Sequence, residues 1–151
     1  MDDEQRRAWV NLVKVLLTLP GTLESQLLED ADLTLLGYMI LARLSAVPGS
    51  ALRMSELAEM TNGSLPRLSH AVARMEDRGW VTRTVRSGTG RRYTLATSTD
   101  AGREHLEASA ASHVATVRRL VVEPLGEDFV SFGDMAARVV EILGLPTTAL
   151  K

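Results

Sequence analysis

Between Arg53 and Gly102 the hydrophobic period changes from helical to alternating, and that change constrains the fold more than any other feature. At about 100° per residue, Leu65, Leu68, Val72 and Met75 gather on one side of a helix, and Arg67, His70 and Arg74 gather roughly opposite. Such a helix must bury one side and hold its cations on the other. Ser64 is placed to cap it, and Pro66 is tolerated because a first-turn proline lacks only an N–H without a helical partner. A shorter helix precedes it, with Ser55 as N-cap, Glu56 near the positive helix end, Met54, Leu57 and Ala58 inward, and Asn62-Gly63 as the stop. The turn from Thr61 to Gly63 joins the two into a helix-turn-helix. Gly79 then releases the chain into two strands, Trp80 to Arg86 and Arg92 to Thr97, rich in Val, Thr and Tyr and joined by a turn over Ser87-Gly88-Thr89-Gly90. Leu52 to Met54 can add a third strand. Arg83, Arg86, Arg91 and Arg92 crowd the hairpin. A reader helix beside a basic two-stranded arm is suited to gripping a DNA duplex, the helix in the major groove and the arm in a minor groove of negative potential.

The overall charge of -2 conceals this pattern. From Arg53 through Arg92 there are eight arginines and four acids, a balance of +4, which leaves -6 for the remainder of the 151 residues. A basic module set in an acidic body concentrates attraction to phosphate in one place. The chain has no cysteine, which excludes disulfides and thiolate-bound zinc. Lys14, Pro20, Arg43 and Pro48 break the apolar runs too often for a membrane span, and Met1-Asp2-Asp3-Glu4 lacks the order of a secretion signal, so a cytoplasmic protein is expected.

Helical periodicity also dominates the flanks. Trp9, Leu12, Val13, Leu16 and Leu17 form a stripe that Pro20-Gly21 is expected to end, with Leu23, Leu27 and Leu28 in a short piece beyond. Thr34 caps a helix to about Ser45, with Leu36, Met39, Ile40, Leu44 and Val47 inward. After Gly102 one long helix carries Leu106, Ala110, Val117 and Leu120, and another carries Phe129, Phe132, Met135, Ala136, Val139 and Leu143. These stripes exceed what one small wing domain can cover, so packing against a second copy is their expected use. Trp9, Leu12, Leu16, Val117, Leu120, Phe132, Met135, Val139 and Leu143 are the expected dimer contacts.

Met54-Ser55-Glu56-Leu57-Ala58, the run from Arg74 to Arg83 (Arg-Met-Glu-Asp-Arg-Gly-Trp-Val-Thr-Arg) and Thr99-Asp100-Ala101-Gly102 together resemble the winged helix-turn-helix of the multiple antibiotic resistance regulator (MarR) family. The resemblance covers nearly the whole chain. It implies a mainly α fold with a small antiparallel β wing: a winged helix-turn-helix lobe over residues 33–100, flanked by helical dimerisation regions at 1–30 and 103–151, in one domain spanning 1–151. It implies a homodimer that binds a pseudo-palindromic operator in double-stranded DNA, usually as a repressor released by a small aromatic or anionic effector. Two departures stand out. Gly90 occupies the place of the acid in the family's Asp-x-Arg wing, Arg92 remaining as its arginine, and Pro66 replaces a small hydroxyl residue.

Expected DNA contacts are Ser64, Arg67, Ser69, His70 and Arg74 on the reader and Arg83, Arg86, Arg91 and Arg92 on the wing, while Arg78 lies nearer the helix end and serves the fold. Tyr38, Met39, Arg43 and His113 are the expected lining of an effector cavity, as the resemblance suggests. His105 and His113 lie about 12 Å apart along a helix, too far to share a metal ion. Trp9 and Trp80 are expected as core anchors. Gly88-x-Gly90 lacks the third glycine of a dinucleotide loop, and phosphate-loop, zinc-helix and serine-elbow motifs are missing, so neither a cofactor, a metal nor catalysis is expected. The rival to DNA reading is a winged helix that docks onto protein or senses a ligand without DNA affinity.

Overall fold

The computed structural model describes residues 1–61, 64–88 and 90–145. Its order is α1 (Asp3–Ala31), α2 (Leu35–Ser45), β1 (Ala51–Arg53), α3 (Met54–Ala58), α4 (Leu65–Asp77), β2 (Val81–Gly88), β3 (Arg91–Ser98), α5 (Asp100–Val117), a π-helical stretch (Arg118–Val122), α6 (Glu123–Leu125) and α7 (Asp128–Ile142). The sheet is antiparallel in the order β1-β3-β2. It is the small β wing on a mainly α fold.

The core lies in the central lobe. Leu41 and Leu44 of α2, Leu57 of α3, Leu68 and Val72 of α4 and Val81 and Ala96 of the sheet lose all solvent contact. Met75 joins them, whereas Leu65, expected on the same stripe, is 51% exposed because it opens α4 beyond the edge of that core. Met39 likewise faces solvent rather than inward.

Three helix ends show how the chain sets its corners. The Thr34 hydroxyl accepts the Gly37 N–H at 3.0 Å and starts α2 as expected. By contrast Ser55 does not cap α3: β1 runs directly into the helix at Met54, and the Glu56 carboxylate accepts the Arg53 N–H at 2.7 Å. With no loop residue between strand and helix, the cap falls on Arg53. Ser64 occupies the N-cap position of α4, but its side chain makes no capping bond; instead its carbonyl accepts the Thr61 hydroxyl at 3.0 Å. The helix before this turn gives way to a 3-10 turn over Glu59–Thr61, and the Asn62-Gly63 stop lies outside the described residues.

Pro20 does not end the first helix. α1 continues for 29 residues to Ala31. A proline inside a helix removes one hydrogen bond and crowds the preceding carbonyl, costing about 3 kcal/mol. Here Leu23 and Leu27 lie beyond it, Leu27 fully buried, and that anchorage holds the second half of the helix in line.

The exit of the reader and the exit of the wing are joined. Gly79, at φ 73°, closes α4 with its N–H on the Glu76 carbonyl and the Trp80 N–H on the Met75 carbonyl, each at 2.9 Å. The Thr99 hydroxyl accepts the Gly102 N–H at 3.0 Å, capping α5, and donates to the Gly79 carbonyl at 2.6 Å. A Cβ on Gly102 would stand 2.1 Å from the Trp80 carbonyl oxygen, so only glycine fits. The Thr99-x-x-Gly102 motif is thus a clasp between α4, the sheet and α5.

A second clasp fixes the wing to α4. The Glu76 carboxylate accepts the Arg83 N–H at 3.0 Å, its Nε at 2.9 Å and its Nη2 at 2.7 Å. Hydrogen bonding from Arg83 holds the Glu76 carboxyl below the usual carboxylate range. Stability from this clasp is therefore fully present above the ordinary carboxylate range and is lost as pH falls through the lowered native value. Both side chains keep about a third of their exposure, so solvent screening limits the effect to about 1 kcal/mol. Glu76→Gln is expected to lower the urea midpoint at neutral pH and to converge with the parent protein in acid. A deficit that persists unchanged to pH 2 would show that the ionised clasp is not its cause.

Candidate nucleic-acid interface

Burial of Leu68, Val72 and Met75 fixes the rotation of α4, and helical geometry divides the rest of its surface into strips. Arg67, Arg74 and Arg78 fall on the flank toward the corner of α1 and α2. Glu76 falls on the opposite flank, toward the wing. Between them, opposite the buried stripe, lie Pro66, His70, Ala73 and Asp77, with Ser69 nearer the Glu76 flank. Arg67, Ser69, His70 and Arg74 are exposed, and Ser64 is half-buried at the helix start. Ala73 was missed by reading the charges alone. The signal lay in the buried stripe, whose opposite side marks the outermost strip more directly than the arginines do.

The register of the sheet sorts the wing arginines. Arg83 pairs with the buried Ala96, so by alternation Arg83 and Arg92 share the face turned to α4. Arg86, opposite Tyr93, and Arg91, opposite Gly88, share the other face. Arg86, Arg91 and Arg92 are exposed and make no ion pair among the described residues. Arg83 departs from expectation: its guanidinium is committed to Glu76, which makes it a fastening of the wing rather than a free cation. Arg78 serves the fold, pairing with Asp32 and lying 5.6 Å from the Trp80 ring centroid. Trp80 itself is partly buried, stacked on His105 at 4.0 Å, and the His105 Nε2–H donates to the Ala31 carbonyl at 2.9 Å.

The expected effector lining does not assemble as one group. Tyr38 and His113 meet, their ring centroids 4.3 Å apart. Gln26 donates from Nε2 to Asp30 at 2.8 Å, which leaves its Oε1 to accept from His113 Nδ1–H at 3.1 Å. Burial pushes the Tyr38 hydroxyl up and the His113 imidazole down, so both stay neutral near pH 7. Met39 and Arg43 lie about 100° or more around α2 from Tyr38 and therefore occupy a different strip. A cleft of about 390 Å³ opens elsewhere, between the α1–α2 corner and α4. Arg67, His70, Arg74 and Trp80 line it together with the acids Glu24, Asp32 and Asp77, and none of the four expected effector residues does. Sequence could not show this cleft, because its walls come from segments some 40 residues apart.

Away from the lobe, an apolar surface lies open. Trp9 is 54% exposed, Leu16 58% and Val139 55%, and α7 buries no side chain fully. Leu12, Phe132, Met135 and Leu143 are exposed as well, while Val117 and Leu120 are half-buried. Trp9 is thus no core anchor of a single chain. Among the described residues no helix is long and apolar enough to cross a membrane, and no group of three or more His, Cys, Asp or Glu is placed to hold a metal ion.

Comparison with known proteins agrees with this architecture. A sequence model of the MarR family matches residues 31–92. Sco3205, a MarR family transcriptional regulator from Streptomyces coelicolor solved in complex with DNA, is 35% identical over 97% of this chain and 95% of its own, with a TM-score of 0.88. AbsC, a MarR family transcriptional regulator from the same organism, is 34% identical over 95% of this chain and 96% of its own, with a TM-score of 0.84. CouR from Rhodococcus jostii RHA1, solved bound to p-coumaroyl-CoA, shares the fold at 20% identity over 91% of each chain, with a TM-score of 0.72. A search of curated proteins found no match. With two relatives above 30% identity along almost its full length, the chain belongs to the MarR family of transcriptional regulators.

Proposed function

We propose that the chain is a cytoplasmic, homodimeric repressor that binds a pseudo-palindromic operator in double-stranded DNA and is released by a small aromatic or anionic ligand. One observation carries the DNA reading: α4 exposes Arg67, Ser69, His70 and Arg74 beside a wing whose Arg86, Arg91 and Arg92 are unpaired among the described residues. The wing guanidiniums keep their full attraction for phosphate, while Arg67 and Arg74 share their cleft with Glu24, Asp32 and Asp77 without a direct ion pair among the described residues. The complex of Sco3205 with DNA supports the same reading. Selection of bound duplexes from a random pool is expected to return an inverted repeat with half-sites about one helical turn apart. On that site Arg74→Ala and Arg92→Ala are each expected to weaken binding and flatten the log–log salt slope by about one unit per lost phosphate contact. Unchanged affinity for both variants would remove the assignment.

Two readers can enter successive major grooves only if a rigid body spaces them by about 34 Å. The exposed stripes of α1 and α7 supply apolar surface for such a body. In sedimentation at micromolar concentration the protein is expected at twice its 16.4 kDa chain mass. A Met135→Glu, Val139→Glu variant is expected to run as the monomer, and a monomeric parent protein would contradict the homodimer.

The cleft beside α4 supports control by a ligand. Its guanidiniums suit an anionic group and Trp80 suits an aromatic one, and an occupant there would engage Arg67 and Arg74 on the reader's own flank. Such a ligand releases DNA only by its differential affinity for the two arrangements of the dimer. In a Trp9→Phe background, aromatic carboxylates that quench Trp80 fluorescence are expected to lower duplex affinity. Ligands that quench fully yet leave affinity unchanged would detach this cleft from control.

A further inference from the structure

Arg53 is the last residue of β1 and adjoins the first residue of α3, so it stands at the joint between the wing and the helix-turn-helix. Its cross-strand partner is Leu95, two residues along β3 from Tyr93, and its guanidinium carbon lies 4.3 Å from the Tyr93 ring centroid. Tyr93 in turn lies over Gly88, where an added Cβ would come within 3.3 Å of the ring. The register sets Arg86 opposite Tyr93 and Arg91 opposite Gly88, so Arg53, Arg86 and Arg91 share one face of the sheet around a single aromatic ring. This is the face turned away from α4. No carboxylate pairs with any of these three guanidiniums among the described residues. The nearby Glu56 carboxylate is bonded to the Arg53 main-chain N–H instead.

How an arginine is held decides what it can bind. A carboxylate that fixes a guanidinium also cancels its charge, as Glu76 does for Arg83. An aromatic ring fixes the guanidinium through its face and leaves the N–H donors at its edge, with the full positive charge, for another partner. Tyr93 therefore holds Arg53 in one place without neutralising it, which reduces the rotamer entropy lost when that arginine binds. Planar edge donors match the oxygens of a phosphate.

We propose that Arg53, stacked on Tyr93 and flanked by Arg86 and Arg91, forms a phosphate-binding surface for the sugar–phosphate backbone alongside the wing. The assignment rests on the DNA-binding reading above. Arg53 opens α3 on the sheet face turned away from α4, so the backbone this face can meet runs alongside the wing. The contact is to backbone, so it adds affinity without adding sequence preference.

The test uses the full-length protein and the duplex recovered by selection, with dissociation constants measured over a fourfold range of salt. Arg53→Ala is expected to leave the selected sequence unchanged and to lower the log–log slope by about 0.9, so that its deficit shrinks about threefold between the lowest and highest salt. Tyr93→Phe, which keeps the ring, is expected to bind as the parent protein does. In a Tyr93→Leu background, Arg53→Ala is expected to cost less than it does alone, because the arginine is no longer held. If the parent protein binds with its normal slope while Arg53→Ala changes neither slope nor affinity, the phosphate surface is overturned and the reader assignment stands. A loss with unchanged slope in a fully folded Arg53→Ala variant also overturns it, since that marks a structural role. Absence of salt-dependent duplex binding by the parent protein overturns both readings.

Discussion

The rotation of α4 about its own axis governs the rest of this structure. Leu68, Val72 and Met75 are driven into the lobe by the removal of apolar surface from water, each fully buried large side chain contributing about 1.5–3 kcal/mol. Once that side is inward, no freedom remains for the others. Arg67 and Arg74 must border the α1–α2 corner, Glu76 must meet β2, and His70 and Asp77 must face outward. The Glu76–Arg83 clasp then carries the orientation of the helix into the wing through three hydrogen bonds. Reader and wing are thereby fastened side by side.

The two kinds of arginine in the wing follow from the same geometry. Alternation along β2 and β3 sends Arg83 and Arg92 to the α4 face and Arg86 and Arg91 to the other. Near the base of the hairpin an inward arginine meets the helix and is neutralised; beyond the helix it meets solvent and stays charged. Gly90 takes the place where the family resemblance puts an acid beside the wing arginine, and the structure braces the hairpin by other means, with Tyr93 across Gly88 and Arg53 on Tyr93. A ring brace stiffens without subtracting charge. For a chain whose net charge is -2, keeping the wing's cations unpaired preserves local attraction to a polyanion.

Much of the lobe was legible because its signals are local. Thr34 and Gly79 act through partners within a few residues, and the stripe of α4 and the alternation of the hairpin each repeat at a fixed period. What escaped depends on contacts between distant segments. Pro20 reads as a stop because local propensity says so, yet the burial of Leu27 against the rest of the chain overrides it. Ser55 reads as a cap because Ser is a good one, but the strand leaves no room for a separate cap residue. Arg83 reads as one more wing cation because nothing in the spacing of seven residues identifies Glu76 as its partner. The four expected effector residues fail to assemble for a related reason: a cavity is a property of packed surfaces, and residues adjacent in sequence on a helix point about 100° apart.

The single chain also carries its own argument for a partner. Water is excluded from the lobe but not from α1 and α7, where Trp9, Leu16, Met135 and Val139 remain more than half exposed. An amphipathic helix gains little by forming unless its apolar stripe is covered, and α7 forms without fully burying a side chain of its own. Tyr38, His113 and Gln26 lie where α1, α2 and α5 converge: a hydrogen bond from His113 to Gln26 joins α5 to α1, and the Tyr38 ring of α2 packs against the His113 ring.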